Sequence, residues 1–263
     1  MKLSNVLVVY THPAYGIYKS TLDTVKRTLK KFMVNYNLAD RDKLRHEQFQ
    51  NRDLIIAVGG DGTFLRAAQF IGRQLVLGVN ADTLNKEGFF MSCDKSNFKS
   101  MLEKILDGRI KIKKFPRLEA YINNKKIGAA ALNEFFIGPK KAYHAAKYII
   151  SLEGAKERQK SSGVLVTTPA GSYAWAKACG IRNMPLGSNN FQFVVREPYE
   201  GKVFRGYRLK KRVLTPNQKL KIVSEMLDGT IVADSVGKEH SFMNGSTAKV
   251  GLSKNYLNVV WDK

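Results

Sequence analysis

Residues 54 to 63 read Leu-Ile-Ile-Ala-Val-Gly-Gly-Asp-Gly-Thr, a short apolar run that ends in three glycines around one carboxylate, Asp61. Leu54 to Val58 have the continuous apolar character of a parallel strand covered on both faces. Glycine has no Cβ and admits positive φ, so Gly59, Gly60 and Gly62 let the main chain turn sharply and approach a ligand closely. Phe64 to Ala68 is helical in pattern, which sets the loop amides near a helix N-terminus, where an anionic phosphate is favoured. The chemistry this allows is a phosphate lying beside a fixed carboxylate. A plain strand-to-helix turn with an acidic N-cap is the competing reading of these ten residues alone. Two better-known phosphate loops are excluded. No Gly-x-x-x-x-Gly-Lys-Ser/Thr occurs, and Gly60-x-Gly62 is followed by Leu65 where a dinucleotide fingerprint requires a third glycine.

Three later segments also place polar groups beside glycines at strand ends. In Ala131-Leu-Asn-Glu-Phe-Phe-Ile-Gly138, Asn133 and Glu134 interrupt an apolar strand, which is costly unless both find partners. They are either a hydrogen-bonded pair on an edge strand or an amide and a carboxylate offering donors and acceptors to ribose hydroxyls and adenine nitrogens. From Gln159 to Trp175 a strand feeds a small-residue turn and then a helix. Thr167, Thr168 and Ser172 supply hydroxyls there, and Gly171 opens a second helix N-terminus to an anion. Tyr173 and Trp175 could flank a base, although an aromatic at a helix start more often packs in a core. Asp234 ends the run Ile231-Val-Ala-Asp234. It is a β-turn residue by default and, beside the other segments, a second carboxylate able to orient substrate or metal.

The elements that must position these groups fall into two kinds. Strand patterns at Val6–Tyr10, 54–58 and 75–79 alternate with helical ones at 20–33 and 63–71, the rhythm of an α/β layer. Ser96 can cap a helix over 97–106, with Gly108 at its C-terminal end. From Ile110 onward the chain turns to short strands: 118–122, a turn at Asn123-Asn124, 126–137, 148–152, 191–195, 220–224, 230–233, 249–252 and 257–261. The expected fold is an α/β N-terminal domain, residues 1–109, followed by an all-β C-terminal domain, residues 110–263, whose last strand returns to the first. A cleft between the α/β layer and the β-rich layer is the expected ligand position.

The 263 residues, 44 per cent of them apolar and 25 per cent charged, are ordinary for a globular chain with a substantial core. No apolar run reaches membrane-spanning length, and no signal or transit peptide is recognised at the N-terminus. Cys93 and Cys179 have no zinc-type spacing and are expected to be free and reduced, which fits a cytoplasmic protein. Forty-four Lys and Arg against 22 Asp and Glu give a formal charge of +22, which favours anionic partners and supports nonspecific association with nucleic acid. Runs such as 109–114 and 208–212 alternate cations with apolar residues, as solvated strand faces do.

Gly59-Gly-Asp-Gly-Thr63 resembles the signature of the superfamily of NAD kinases, diacylglycerol kinases and phosphofructokinases, which implies phosphoryl transfer without naming a substrate. With Asn133-Glu134 and the turn from Thr167 to Trp175, the identity and order of motifs resemble the NAD kinase family over most of the chain. Gly78-Val-Asn-Ala-Asp82 with Glu87-Gly88, Gln159-Lys-Ser-Ser-Gly163, Gly171-Ser-Tyr-Ala-Trp175 and Val195-Arg-Glu-Pro198 look like its mitochondrial-type branch. The commoner bacterial pattern has Asp-Gly at Ser162-Gly163 and Thr-Ala-Tyr at Tyr173-Ala174-Trp175. Ala170 and Ser235 also depart from the family's usual residues. The resemblance implies transfer of the terminal phosphoryl group of ATP to the adenosine ribose 2′-hydroxyl of NAD or NADH. It makes Asp61 the catalytic residue and Gly59, Gly60, Gly62, Thr63 and Arg66 the phosphate loop. It assigns NAD binding to Asn133, Glu134, Ser162, Thr168, Ser172, Tyr173, Ala174, Trp175 and Asp234. It further implies Mg²⁺ or another divalent cation, with no protein ligand set assigned, and a homo-oligomer, dimer or tetramer. The alternatives are a lipid or sugar kinase of the same superfamily, or a noncatalytic basic protein that binds nucleotides or RNA.

Overall fold

The computed structural model describes residues 3–12 and 16–262, and the chain divides into two compact units, Met1–Lys114 with Leu257–Lys263 and Phe115–Tyr256. Along the chain, the first unit begins with β1 (Val6–Tyr10), α1 (Gly16–Lys31), β2 (Tyr36–Asp40) and β3 (Leu54–Gly59). It continues with α2 (Asp61–Ala68), β4 (Leu75–Asn80), β5 (Cys93–Asp94), α3 (Phe98–Leu106) and β6 (Ile112–Phe115). The second unit carries β7 (Leu118–Ile122), β8 (Lys125–Ala131), β9 (Glu134–Pro139), β10 (Ala146–Leu152), β11 (Ala155–Ser161) and β12 (Gly163–Thr167). After a 3₁₀ turn at Gly171–Tyr173 come α4 (Trp175–Ala178), β13 (Phe191–Arg196), β14 (Lys211–Leu214), β15 (Leu220–Ser224), β16 (Gly229–Ala233), β17 (His240–Ser241) and β18 (Thr247–Leu252). The last strand, β19 (Leu257–Val260), belongs to the first unit.

In the first unit the strands run in the order β2-β1-β3-β4-β19-β6, with β5 also on β4. β1, β2, β3, β4, β5 and β19 pair in parallel. Every residue of β3 and β4 is buried, as expected of central parallel strands covered on both faces. Ile56, Val58, Leu77 and Val79 pack with Leu22, Val25 and Leu29 of α1 and with Met101, Leu102 and Ile105 of α3. Spacings of three and four residues give those helices their single apolar stripe. The helix expected over 97–106 begins at Phe98 with Asn97 as its N-cap, and no side chain caps it. Ser96 is instead bound to Asp94 Oδ1 through its main-chain N–H, at 2.6 Å, and its hydroxyl, at 2.5 Å. Gly108, at φ +72°, ends that helix as the sequence suggests. α2 begins at Asp61, two residues before the expected start, because the glycine loop itself is helical from that point.

The second unit is a pair of six-stranded sheets, β11-β10-β15-β18-β7-β8 and β14-β13-β12-β9-β16-β17. Leu118, Tyr148, Ile150, Ile222 and Val250 from one sheet meet Phe135, Ile137, Val164, Val166, Phe193 and Ile231 from the other in one core. The strand expected over 126–137 is two strands. β8 pairs with β7, whereas β9 pairs with β12 and β16, so the chain changes sheets at Leu132-Asn133. Asn133 and Glu134 therefore do not lie on an edge strand. Asn123 and Asn124, at φ 49° and 65°, form the tight turn between β7 and β8. Among the described residues no helix is long and apolar enough to cross a membrane.

Candidate active site

Each unit presents one polar site. In the first, β3 leads through Gly60 into α2, and Asp61 stands in that helix's first turn. Its carboxylate is fixed by two main-chain donors, Phe89 N–H to Oδ2 and Phe90 N–H to Oδ1, both at 2.9 Å. Each oxygen keeps a lone-pair direction free of those bonds. The loop glycines do not use positive φ, in contrast to the sequence expectation; Gly60, for example, is extended at φ −125° and ψ −173°. Crowding explains Gly59, where a Cβ would lie 2.4 Å from Thr63 Oγ1 and 2.7 Å from Thr11 Oγ1. At Gly62 a Cβ would meet nothing within 4 Å, so that position leaves open space beside the carboxylate.

Thr63, fully buried, shares a 2.7 Å hydrogen bond with Thr11, and Arg41 Nη1 donates to both hydroxyls at 3.2 Å. Arg41 Nε is buried and has no hydrogen-bond partner among the described residues. Arg66 is turned to Asp42, 3.2 Å away, and does not line the pocket that holds Asp61. That pocket, about 600 Å³, is bounded by Thr11, Arg41, Gly60, Asp61, Gly62 and Lys86 among others. Arg41 and Lys86 are thus the Arg and Lys residues that line it. Neither carried a sequence signal, since Arg41 follows a half-polar strand and Lys86 lies in a loop.

The second site is the corner where the chain changes sheets. Asp234 follows β16 with φ 54°, and its fully buried carboxylate accepts three main-chain N–H groups. These are Leu132 at 2.9 Å, Asn133 at 2.6 Å and Glu134 at 3.2 Å. Thr168 Oγ1 donates to Leu132 O at 2.6 Å and accepts from Gly171 N, while Thr167 Oγ1 donates to Asn133 O at 3.0 Å. Ser172 Oγ donates to Pro169 O and accepts from Met184 N. Gly171 has to be glycine because a Cβ would lie 2.1 Å from Asn133 O. The hydroxyls of Thr168 and Ser172 and both oxygens of Asp234 therefore hold main chain, and the side chains the corner leaves uncommitted are the buried Asn133-Glu134 pair.

Glu134 is 3% exposed and its Oε2 has no partner among the described residues. Burial, then the neighbouring charge of Asp234, push its carboxyl up to about 8. Burial also raises Asp234, to about 7, against the pull of the three N–H groups and of Arg117, itself buried. Glu134 thus carries a proton at neutral pH, which gives one buried side chain both a donor and acceptors. Between its unfolded value of 4.5 and about 8, the folded chain binds a proton that the unfolded chain releases, so stability falls as pH rises through this window. Glu134→Gln removes that component. Denaturation series should show a shallower decline from pH 5 to 8 and a gain on the order of 3 kcal/mol at pH 8. Parallel declines in the two proteins would show that Glu134 does not hold the proton.

The remaining residues lie around this corner. Ala174 separates the 3₁₀ turn from α4, and Tyr173 is 39% exposed. Trp175 has Arg196 Cζ 4.6 Å from its ring centroid and Phe136 5.4 Å away, so one ring face is already covered. Ser162 donates its main-chain N–H to Arg196 O just before β12.

The profile of the ATP-NAD kinase N-terminal domain matches residues 6–110. A probable NADH kinase of Oryza sativa subsp. japonica is 25% identical over an alignment covering 99% of this chain and 86% of that protein. The NADH kinase of Arabidopsis thaliana is 29% identical over 95% of this chain and 85% of that protein. The fold is that of an NAD kinase from Archaeoglobus fulgidus solved with ATP, at TM-score 0.79 and 23% identity over 98% of this chain and 94% of that one. It is also that of yeast NADH kinase solved with NADH, at TM-score 0.82 and 18% identity over 100% and 85% of the two chains. The glycine loop with its tethered aspartate, the Asn-Glu corner, the fold and these relatives together make the chain similar to the NAD kinases, whose N-terminal domain it matches over residues 6–110.

Proposed function

We propose that this chain transfers the terminal phosphoryl group of ATP to the 2′-hydroxyl of the adenosine ribose of NAD or NADH, producing NADP or NADPH. Phosphoryl transfer gains most from alignment and neutralisation of charge. The pocket at Gly60–Gly62 supplies both, through main-chain N–H groups at the start of α2 and the cations Arg41 and Lys86. Asp61 accepts the proton of the attacking hydroxyl, held to its orientation by Phe89 and Phe90. The Asn133-Glu134 corner binds the adenosine half, with Asp234, Thr167 and Thr168 fixing its main chain and Ser172 fixing the adjoining turn at Pro169.

A single observation carries the choice of acceptor: the buried, unpartnered Oε2 of Glu134 suits a sugar hydroxyl, where a lipid acceptor would require an apolar channel. No cluster of three or more His, Cys, Asp or Glu able to hold a metal occurs among the described residues. A divalent cation would therefore be carried on the nucleotide phosphates, with no protein ligand set of its own and Asp61 left as the proton acceptor. Mg²⁺ so bound would neutralise phosphate charge. A cytoplasmic homo-oligomer, dimer or tetramer, completes the proposal, and sizing of the purified protein tests the assembly.

Incubation with Mg-ATP and either NAD or NADH, read out by an NADP-specific dehydrogenase, tests class and acceptor together. Failure to form NADP(H) from either acceptor would sink the reading. Arg41→Met should raise KM for ATP by about tenfold to a hundredfold, the worth of a charge-assisted hydrogen bond, with kcat much less affected. An unchanged KM would remove Arg41 from the donor pocket.

A further inference from the structure

The second unit carries a feature that nucleotide chemistry leaves unused, the solvent face of the sheet β11-β10-β15-β18-β7-β8. Along β10, buried residues alternate with Lys147, Ile149 and Ser151; along the C-terminal part of β11, buried Gln159 and Ser161 alternate with Arg158 and Lys160. The same alternation puts Lys221 of β15 and Lys249 of β18 on the outer face.

Register lines these cations up. Lys156 stands opposite Ser151, Ser151 opposite Lys221, and Lys221 opposite Lys249. Lys249 stands opposite Tyr121, and Tyr121 opposite Lys126. With strands about 4.8 Å apart, this single row spans six strands, about 24 Å. Four residues along β10, Lys147 stands opposite Lys160.

Like charges placed directly opposite one another destabilise a sheet, and this face does so at Lys221–Lys249 and again at Lys147–Lys160. Its acids are already engaged, Glu119 by Lys126 at 2.6 Å and Glu225 by Arg158 at 2.8 Å. Binding a nucleotide needs only a few cations of a chain with a formal charge of +22. A second copy docked by a two-fold axis would set the same lysines against each other, which argues against self-association here. The apolar side chains of the face, Ile149, Val223 and Tyr121, are half-buried, so no apolar anchor projects towards a bilayer. Lys219 Nζ lies 5.3 Å over the Tyr121 ring, which takes up the aromatic surface that a base would stack on.

We propose that this sheet face binds nucleic acid through its phosphate backbone, without base readout. The row of lysines neutralises successive phosphates and releases their counterions, so affinity falls steeply with salt.

The test titrates a fluorescent single-stranded RNA oligonucleotide across a salt series with three proteins. They are the wild type, a quadruple variant (Lys147→Thr, Lys156→Thr, Lys221→Thr, Lys249→Thr), and a control with four exposed lysines of the first unit changed (Lys30→Thr, Lys31→Thr, Lys99→Thr, Lys111→Thr). The face variant should lose at least tenfold in low-salt affinity, and its salt slope should fall by about 3, near 0.7 per phosphate contact. The control should keep most of both, and kinase turnover should be unchanged in the face variant. Equal losses in the two variants would show that charge acts diffusely and overturn the proposal. Retention on phosphatidylserine vesicles without RNA binding would overturn it, as would a wild type that leaves RNA unbound at low salt.

Discussion

Asp61→Asn is expected to lower kcat on the order of 10²- to 10⁴-fold, the range for removing a positioned proton acceptor. Substrate affinity should change far less, because the loop amides, Arg41 and Lys86 are untouched. The substitution is not structurally silent. Phe89 N–H and Phe90 N–H each point at one carboxylate oxygen, and an amide can satisfy only one of them. The other donor then faces an NH₂ group, at a cost of about 1–3 kcal/mol. Steady-state kinetics beside a denaturation curve separates the two effects. Turnover within a few-fold of wild type would remove Asp61 from the chemistry.

Asp234→Ala should be the most destabilising single change in the second unit. It strips the acceptor from three main-chain N–H groups and leaves Arg117 buried beside a lost charge. Breaking a buried charged network by removing one partner costs about 3–5 kcal/mol. Loss of hydrogen-exchange protection at Leu132, Asn133 and Glu134 should accompany the lower denaturation midpoint. Asp234→Asn keeps an acceptor oxygen and should lose less. A variant as stable as wild type, with those amides still protected, would show that Asp234 does not hold the corner.

The central parallel strands and the likeness to NAD kinases were legible because both rest on dense local signals. Leu54–Gly59 is an unbroken buried run, and the glycine motif follows it directly. Short polar edge strands were not. β2, Tyr-Asn-Leu-Ala-Asp, and β11, Ala-Lys-Glu-Arg-Gln-Lys-Ser, are made by their neighbours β1 and β10 rather than by their own patterns. The sheet change at Leu132-Asn133 was hidden for a related reason. Apolar residues run through it on both sides, and the feature that bends the chain, Asp234, lies about a hundred residues away. Glu134 could be picked out as a polar residue in an apolar run, but its proton could not, because that depends on burial and on Asp234. The reading of Thr168 and Ser172 as hydroxyls facing a ligand missed that each is used to fold its own turn.

β19 lies beside β4 in the α/β sheet, yet it is made after the whole of the second unit, and β6 reaches that sheet only through it. On the ribosome, then, the N-terminal layer cannot complete itself as it emerges. The N-terminal part of that flank of β4, Leu75 and Val76, stays unpaired until about 180 further residues have been added, a long interval in which an apolar segment offers its N–H and C=O groups to any passing chain, whereas Val79 and Asn80 are covered early by β5. A nascent chain stalled before Leu257 would accordingly be an aggregation-prone species rather than a working half-protein, and chaperone demand should peak late in synthesis.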